Sequence, residues 1–488
     1  MKMYSTEVPG SVVLAISCLF AAVLQAAEPE PYDPTMEDES MLFMDIPSVY
    51  SASKYEQSAS DAPAWVTVIT ADEITKYGYR TLDDILESVT GFYTTNDRNN
   101  NYAGARGFGR PGDYNTRLLL LLDGMRTNEA LGGGASIGRE FLVDVDLIDR
   151  VEVTRGPGSS LYGTNAFLGV INVITKRGRD LQAVEVAGSY GSQDTREGRL
   201  SYGNRFDNGF ELLLSGTAFK SDGDDHINYP ELDAPSIDVD DEEADSLFAE
   251  LSYHDFSLQA AHSTREKKFP TGSWETINTD PRNKTTDKLY FFNLGYDHAF
   301  QNQMEFRGDL YYQRYDYRGN YVYDYAESPG DPPDIVVNKD WSESNWWVAE
   351  GQLTMKQFNL QTLIIGGEYR KDTKLDQGNY DVYGTYLDDR RDSSNWGIYG
   401  QDEFRLRDNL TLYAGLRYDD YESFGSTTNP RVSLVYNVKP ETTLKLLYGT
   451  AFRAPTAYEF YYHDDGESTK PANDLDPETI ETYELILE

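Results

Sequence analysis

Cysteine is nearly missing from this 488-residue chain. The single one, Cys18, sits inside the first apolar run, so the rest of the chain has no material for a disulfide or a thiolate metal site. Positive charge is also short: 43 Lys and Arg stand against 82 Asp and Glu, a formal net charge of -39. Nucleic acid is excluded as a partner on that balance, because affinity for it rests on cations neutralising phosphates. Long apolar runs are absent after the N-terminus, and mean hydropathy is -0.59, which excludes a helical membrane protein. It leaves open a transmembrane β-barrel, whose strands carry an apolar residue only at every second position. Histidine is sparse and scattered: His226, His254, His262, His298 and His463. HExxH, GxSxG and P-loop patterns are missing, so neither an enzyme, a metal centre nor a cofactor site is expected. Gly107–Gly112 (GFGRPG) has the glycines of a dinucleotide loop but follows no apolar strand and opens no helix.

What is present is β-structure and tyrosine. The 37 Tyr bring aromatics to 13%, which suits aromatic girdles at a membrane interface, and equally suits a carbohydrate-binding surface. Residues Ser11–Leu24 form an apolar run too short to cross a membrane, followed by Gln25-Ala26-Ala27. It reads as a secretory signal over residues 1–26. Lipidation at Cys18 is the alternative, with Ala15-Ile16-Ser17 a poor lipobox. Residues 27–60 form an acidic, Pro-containing leader.

Beyond the leader, Trp65–Thr70 alternates as a strand. Thr81 caps a predicted helix, with Asp84 facing back and Leu82, Ile85, Leu86 and Val89 on one face; Gly91 stops it. Leu118–Leu122 reads as a strand buried on both faces. Asp149–Lys176 (DRVEVTRGPGSSLYGTNAFLGVINVITK) is a strand, a Gly/Pro/Ser turn and a second strand.

After Gly178 long alternating strands take over. Leu410, Leu412, Leu416 and Tyr418 oppose Thr411, Tyr413, Arg417 and Asp419; Val432, Leu434 and Tyr436 oppose Arg431 and Ser433. One face suits lipid and the other a wet lumen. Short turns (Asp207-Asn208, Gln301-Asn302, Arg407–Asn409, Val438–Pro440) alternate with long polar connections (Asp222–Asp245, Lys268–Asp287, Arg318–Asp340, Lys371–Ser394, Ala454–Pro477). That is the pattern of an outer-membrane barrel, with the short turns periplasmic.

These fragments, in this order, resemble the TonB-dependent outer-membrane receptors. The likeness is carried by RGPGSSLYGTNA (Arg155–Ala166), Ala105–Gly109, YGQDEF (Tyr399–Phe404), Asn429-Pro430-Arg431, YGTAFRAPTAY (Tyr448–Tyr458), Leu475–Thr479 and Glu481–Leu485. Thr90 stands where the family usually has Pro. The resemblance implies a mainly β protein, a transmembrane antiparallel β-barrel with an N-terminal α+β plug inside it. The divisions expected are plug over 61–178 and barrel over 179–488. About fourteen strands are counted, against twenty-two in the family barrel, and Glu488 falls inside a strand; the expectation is a chain lacking about eight strands.

The family implies a ligand-gated importer in the bacterial outer membrane, energised by the inner-membrane protein TonB, with lipid and lipopolysaccharide around it. A ferric siderophore or similar chelate is the default small-molecule substrate. Cobalamin, haem and oligosaccharide importers of the same family are alternatives, as are a surface ligand-binding protein and a non-transporting remnant. A TonB box, which pairs by strand addition, is expected at Asp45, Ile46, Pro47, Ser48, Val49, Tyr50, Ser51 and Ala52, where Pro47 and Tyr50 interrupt the usual small β-branched run. Ligand contacts are expected at the plug apices: Arg98, Asn100, Tyr102, Asn128 and Glu129. Arg106 and Arg155 are expected to hold the plug by pairing with lumen carboxylates, Glu403 among them. The acidic stretch Asp222–Asp245 admits two readings, a calcium site or a solvated loop bridged by divalent ions to lipopolysaccharide.

Overall fold

A computed structural model describes residues 48–488 apart from positions 182, 233, 329–330, 359, 440–441, 464–468 and 473. Among the described residues, alternation and chain punctuation build two main sheets, a small mixed one and a large antiparallel one, beside three two-stranded pairs.

The small sheet belongs to the plug. Strands β1 (Ser48–Val49) and β2 (Gln57–Ser58) pair with each other. β3 (Trp65–Thr70) leads into a helix, Ala71–Tyr77, which the sequence pattern did not announce. Thr70 and Glu73 form its capping box, and Gly78 closes it at φ 71°, a left-handed position that suits glycine. The helix Leu82–Glu87 follows. Thr81 precedes it but makes no cap hydrogen bond; Asp84 instead accepts from the Arg80 amide at 2.9 Å. β4 (Phe92–Asn96) and β5 (Asn101–Ala105) form a hairpin. β6 (Leu118–Leu122) and β7 (Met125–Arg126) join β8 (Ile148–Arg155) and β9 (Gly169–Thr175) in a five-stranded sheet of order β3-β8-β9-β6-β7. β6 and β9 run parallel, so the five leucines of β6 have cover on both faces and are at most 1% exposed.

The large sheet has fourteen strands in sequential antiparallel order. They are β10 (Val184–Tyr190), β11 (Arg196–Arg205), β12 (Glu211–Ser221), then, past a small hairpin β13 (His226–Ile227) and β14 (Ser236–Ile237), β15 (Glu242–Tyr253) and β16 (Phe256–Lys268). β17 (Lys284–Ala299), β18 (Met304–Asp324), β19 (Ile335–Phe358), β20 (Gln361–Tyr380) and β21 (Thr385–Arg407) follow. The run ends with β22 (Leu410–Tyr421), β23 (Gly425–Lys439), β24 (Thr442–Arg453) and β25 (Glu478–Leu487). Among the described residues β10 and β25 each pair on one side only. The expected faces hold: Tyr413, Arg417 and Asp419 are buried toward the plug, while Leu416 and Val432 are exposed outward.

Two of the long connections are shorter than expected. β18 and β19 stay paired to Asp324↔Ile335, and β20 and β21 to Tyr380↔Thr385. Past the lipid band an outward side chain need not be apolar, so a strand can continue while its alternation disappears from the sequence. Cross-strand ion pairs replace it: Glu343 on β19 holds both Arg318 on β18 and Lys374 on β20.

Candidate functional site

The seam between plug and wall has an apolar part, where Phe248, Phe291, Trp346 and Val348 of the wall join the plug core, and a polar part in which wall side chains meet plug backbone. Arg307 donates to Asp123 O (2.8 Å), Gln313 to Arg126 O (2.6 Å) and Gln352 to Lys54 O (2.7 Å). Arg417 donates to Leu161 O (3.0 Å), Arg431 to Ala52 O (3.1 Å), and Lys445 to Ala64 O (3.1 Å). Arg417 is fully buried and also binds Glu368 at 2.6 Å and Asp419 at 2.7 Å. Gly163 passes directly over it: a Cβ there, at φ 73°, would lie 3.1 Å from the guanidinium. The seam also has ion pairs. Lys54 pairs with Glu350 between the rings of Tyr162 and Tyr399. Arg117 joins Glu478, which Arg453 also holds.

Of the expected holding residues, Arg106 makes a two-pronged pair with Glu484 on β25, at 2.6 and 2.8 Å. Glu403 accepts from the Tyr55 hydroxyl, and no arginine pairs with it among the described residues. Arg155 corrects the expectation, because it stays inside the plug. Its guanidinium lies 3.9 Å from the Trp65 ring centre and donates to Thr90 O and Thr67 Oγ1, both at 2.9 Å. Burial and the nearby Arg106 pull its pKa down to about 10.

The expected ligand residues divide. Arg98, at the turn of the β4–β5 hairpin with φ 70°, bridges to Asp224 (2.7 Å) and Asp240 (2.8 Å) in the long connection after β12. Asn100 gives its amide to Asp97 at 2.6 Å within the same turn, and Tyr102, 4% exposed, donates to Asp97 at 2.7 Å. Asn128 and Glu129 do not face outward. Asn128 is 1% exposed and ties the Leu120 amide to the carbonyls of Leu118 and Gly133. Glu129 accepts from the amides of Leu131 (2.6 Å), Gly132 (2.5 Å) and Gly134 (3.4 Å). Burial holds its carboxyl above the usual range although these amides favour the charged form. Both residues shape the Thr127–Arg139 loop from within. Local composition reads as a surface turn, and only the long-range fold shows otherwise.

Within the expected TonB box, Asp45, Ile46 and Pro47 lie outside the described residues. Ser48 and Val49 form β1, and the amides of Tyr50 and Ser51 both donate to Glu152, at 3.0 and 2.8 Å. Glu152 is fully buried in β8 and also holds Arg150 at 3.1 Å; Ala52 is 1% exposed. The described half of the segment is therefore bonded to the plug.

Sequence reasoning missed the wall donors as a set. The signal was there: Arg417 and Arg431 occupy lumen positions of their strands, but a backbone carbonyl leaves no trace in sequence to show what they bind. It also missed the helix Ala457–Tyr461, capped by Thr456 and Glu459, inside the last long connection. That helix sits on the plug, with the Tyr458 amide donating to Leu131 O at 3.1 Å.

Comparison with known proteins agrees with this architecture. Residues 58–170 match a family described as "TonB-dependent Receptor Plug Domain", and residues 255–488 match "TonB dependent receptor-like, beta-barrel". The chain is 27% identical over 473 residues to the vitamin B12 transporter BtuB of Vibrio cholerae, covering 90% of this chain and 67% of that protein. It is 27% identical over 513 residues to a hemin receptor of Yersinia enterocolitica, covering 96% and 69%. The outer-membrane ferripyoverdine receptor of Pseudomonas aeruginosa shares the fold with a TM-score of 0.67 at 17% identity, covering 90% of this chain and 63% of that one. The chain thus spans about two thirds of the length of these relatives.

Proposed function

We infer that this chain, which belongs to the TonB-dependent receptors of the outer membrane, imports a scarce nutrient, and that the nutrient is a ferric siderophore or a similar metal chelate. The observation that carries the reading is the plug laid across the inner face of the strand wall. A protein that only captured ligand at the surface would need no such obstruction. The seam combines separate hydrogen bonds and ion pairs with apolar patches such as Phe248, Phe291 and Trp346, so it holds the plug firmly while offering many contacts that can be released one after another. TonB pairs by strand addition with the segment around Asp45–Ala52. Tension there reaches β8 through the Tyr50 and Ser51 amides on Glu152. The ferripyoverdine receptor among the structural neighbours supports the iron reading. A cobalamin reading is favoured by the likeness to the vitamin B12 transporter.

The test is uptake by a strain deleted for this gene and supplied with single ferric chelates or with cobalamin. Loss of one ferric chelate is expected. Unchanged uptake of every ferric chelate removes the iron reading, and loss of cobalamin alone replaces it.

A further inference from the structure

The end of the lumen that carries the long connections is lined by tyrosines and carboxylates. On the plug, Tyr102 and Tyr114 have ring centres 5.9 Å apart, and Tyr114 is 44% exposed. Facing them on β18, the hydroxyls of Tyr317 and Tyr321 lie 2.5 Å apart. Burial, and then the charges of Asp97, Asp340 and Asp287, raise the Tyr114 phenol above its usual pKa.

Asp340, on the inner face of β19, is the informative one. Its partners are the Tyr462 hydroxyl (3.1 and 3.2 Å) and the Asn379 amide (3.1 Å), both neutral. Among the described residues it makes no ion pair. A second acceptor lies close by. Gln377 is two residues from Asn379 on the same face of β20 and is 1% exposed, and its Oε1 has no hydrogen-bond donor among the described residues. A buried acceptor left without a donor costs about 1–3 kcal/mol, which a donor-bearing ligand removes. Four cations at this end are already taken: Arg98 by Asp224 and Asp240, Lys267 by Asp240, Arg265 by Glu242 and Arg391 by Asp389.

We propose that Asp340 and the tyrosines around it form a subsite for a positively charged nitrogen on the imported chelate, a primary ammonium or a similar N–H cation. The proposal rests on the import reading above and adds the charge class of the ligand. The carboxylate accepts the N–H bonds, and tyrosine faces attract the charge through their ring quadrupoles. A polyanionic chelate, such as a ferric tris-catecholate, meets carboxylates here and finds those four cations already paired.

Binding to the full chain in detergent micelles tests this with a ferric trihydroxamate that carries one free ammonium, the same chelate N-acetylated, and a ferric tris-catecholate. The ammonium form is expected to bind about tenfold tighter than the acetylated form. Asp340→Asn is expected to erase that difference while leaving the acetylated form unchanged. The wild-type pair of measurements stands even where the variant fails to fold. Equal binding of the two hydroxamates, or preference for the tris-catecholate, overturns the subsite and leaves the import reading in place. Binding of none of the three overturns the subsite, and the ferric-chelate reading is then decided by the uptake test alone.

Discussion

In β6 of the plug, Leu118 to Leu122 are at most 1% exposed; on the inner face of β22, Tyr413, Arg417 and Asp419 are buried to the same degree. Equal burial thus accompanies opposite chemistry. The leucines meet other apolar side chains, and each contributes about 1.5–3 kcal/mol by leaving water. Tyr413 and Arg417 meet plug backbone at Asp61 O and Leu161 O, carbonyls that need donors wherever water is excluded, and Asp419 holds Arg417 in place. A guanidinium that satisfies both a carbonyl and two carboxylates is the polar solution to the same packing problem.

Removing that solution gives the largest effect that would break the comparison. Arg417→Met leaves Glu368 and Asp419 buried without their cation and Leu161 O without its donor. The expected cost is about 3–5 kcal/mol, read as faster hydrogen exchange in the helix Ser159–Tyr162 and in β22. The plug core gives the next largest. Leu120→Ala opens a cavity in the parallel β6–β9 pair and should cost about 3 kcal/mol, about a hundredfold in exchange of the β6 amides. If the wall variant loosens the plug core as much as its own site, seam and core are one cooperative unit.

The smallest effect has the opposite sign. Asp83, beside the helix Leu82–Glu87, has a buried Oδ1 without a donor among the described residues, and burial pushes its carboxyl up to about 6. A carboxyl raised in the folded state favours folding below its unfolded value, and that contribution is lost as pH rises through 6. Asp83→Asn should therefore stabilise the plug by about 1 kcal/mol at pH 7.5. The gain should vanish below about pH 4 in thermal melts of the two proteins.

Much of this was legible in the sequence. The five leucines, the turn at Gly156–Ser160 and the alternation in β22 and β23 each announce their structure locally. The lengths of β18 to β21 were not legible, because outside the lipid a strand needs no apolar face. Asn128 and Glu129 read as surface residues and proved internal, since their partners are amides and carbonyls that any sequence supplies. Arg155 looked like a tie to the wall, but Trp65, Thr67 and Thr90 reach it first. The pairing of Arg106 with Glu484 spans 378 residues and has no local signal.

The wall side chains that end on plug carbonyls, Arg417, Arg431 and Lys445 among them, carry a consequence for descent. Each grips an atom that mutation cannot replace, so that part of the seat endures while plug side chains other than those in the ion pairs, such as Lys54, Arg106 and Arg117, drift. A plug domain taken from a distant relative should then dock in this wall, and a chimera of the two is a form the lineage could have used many times.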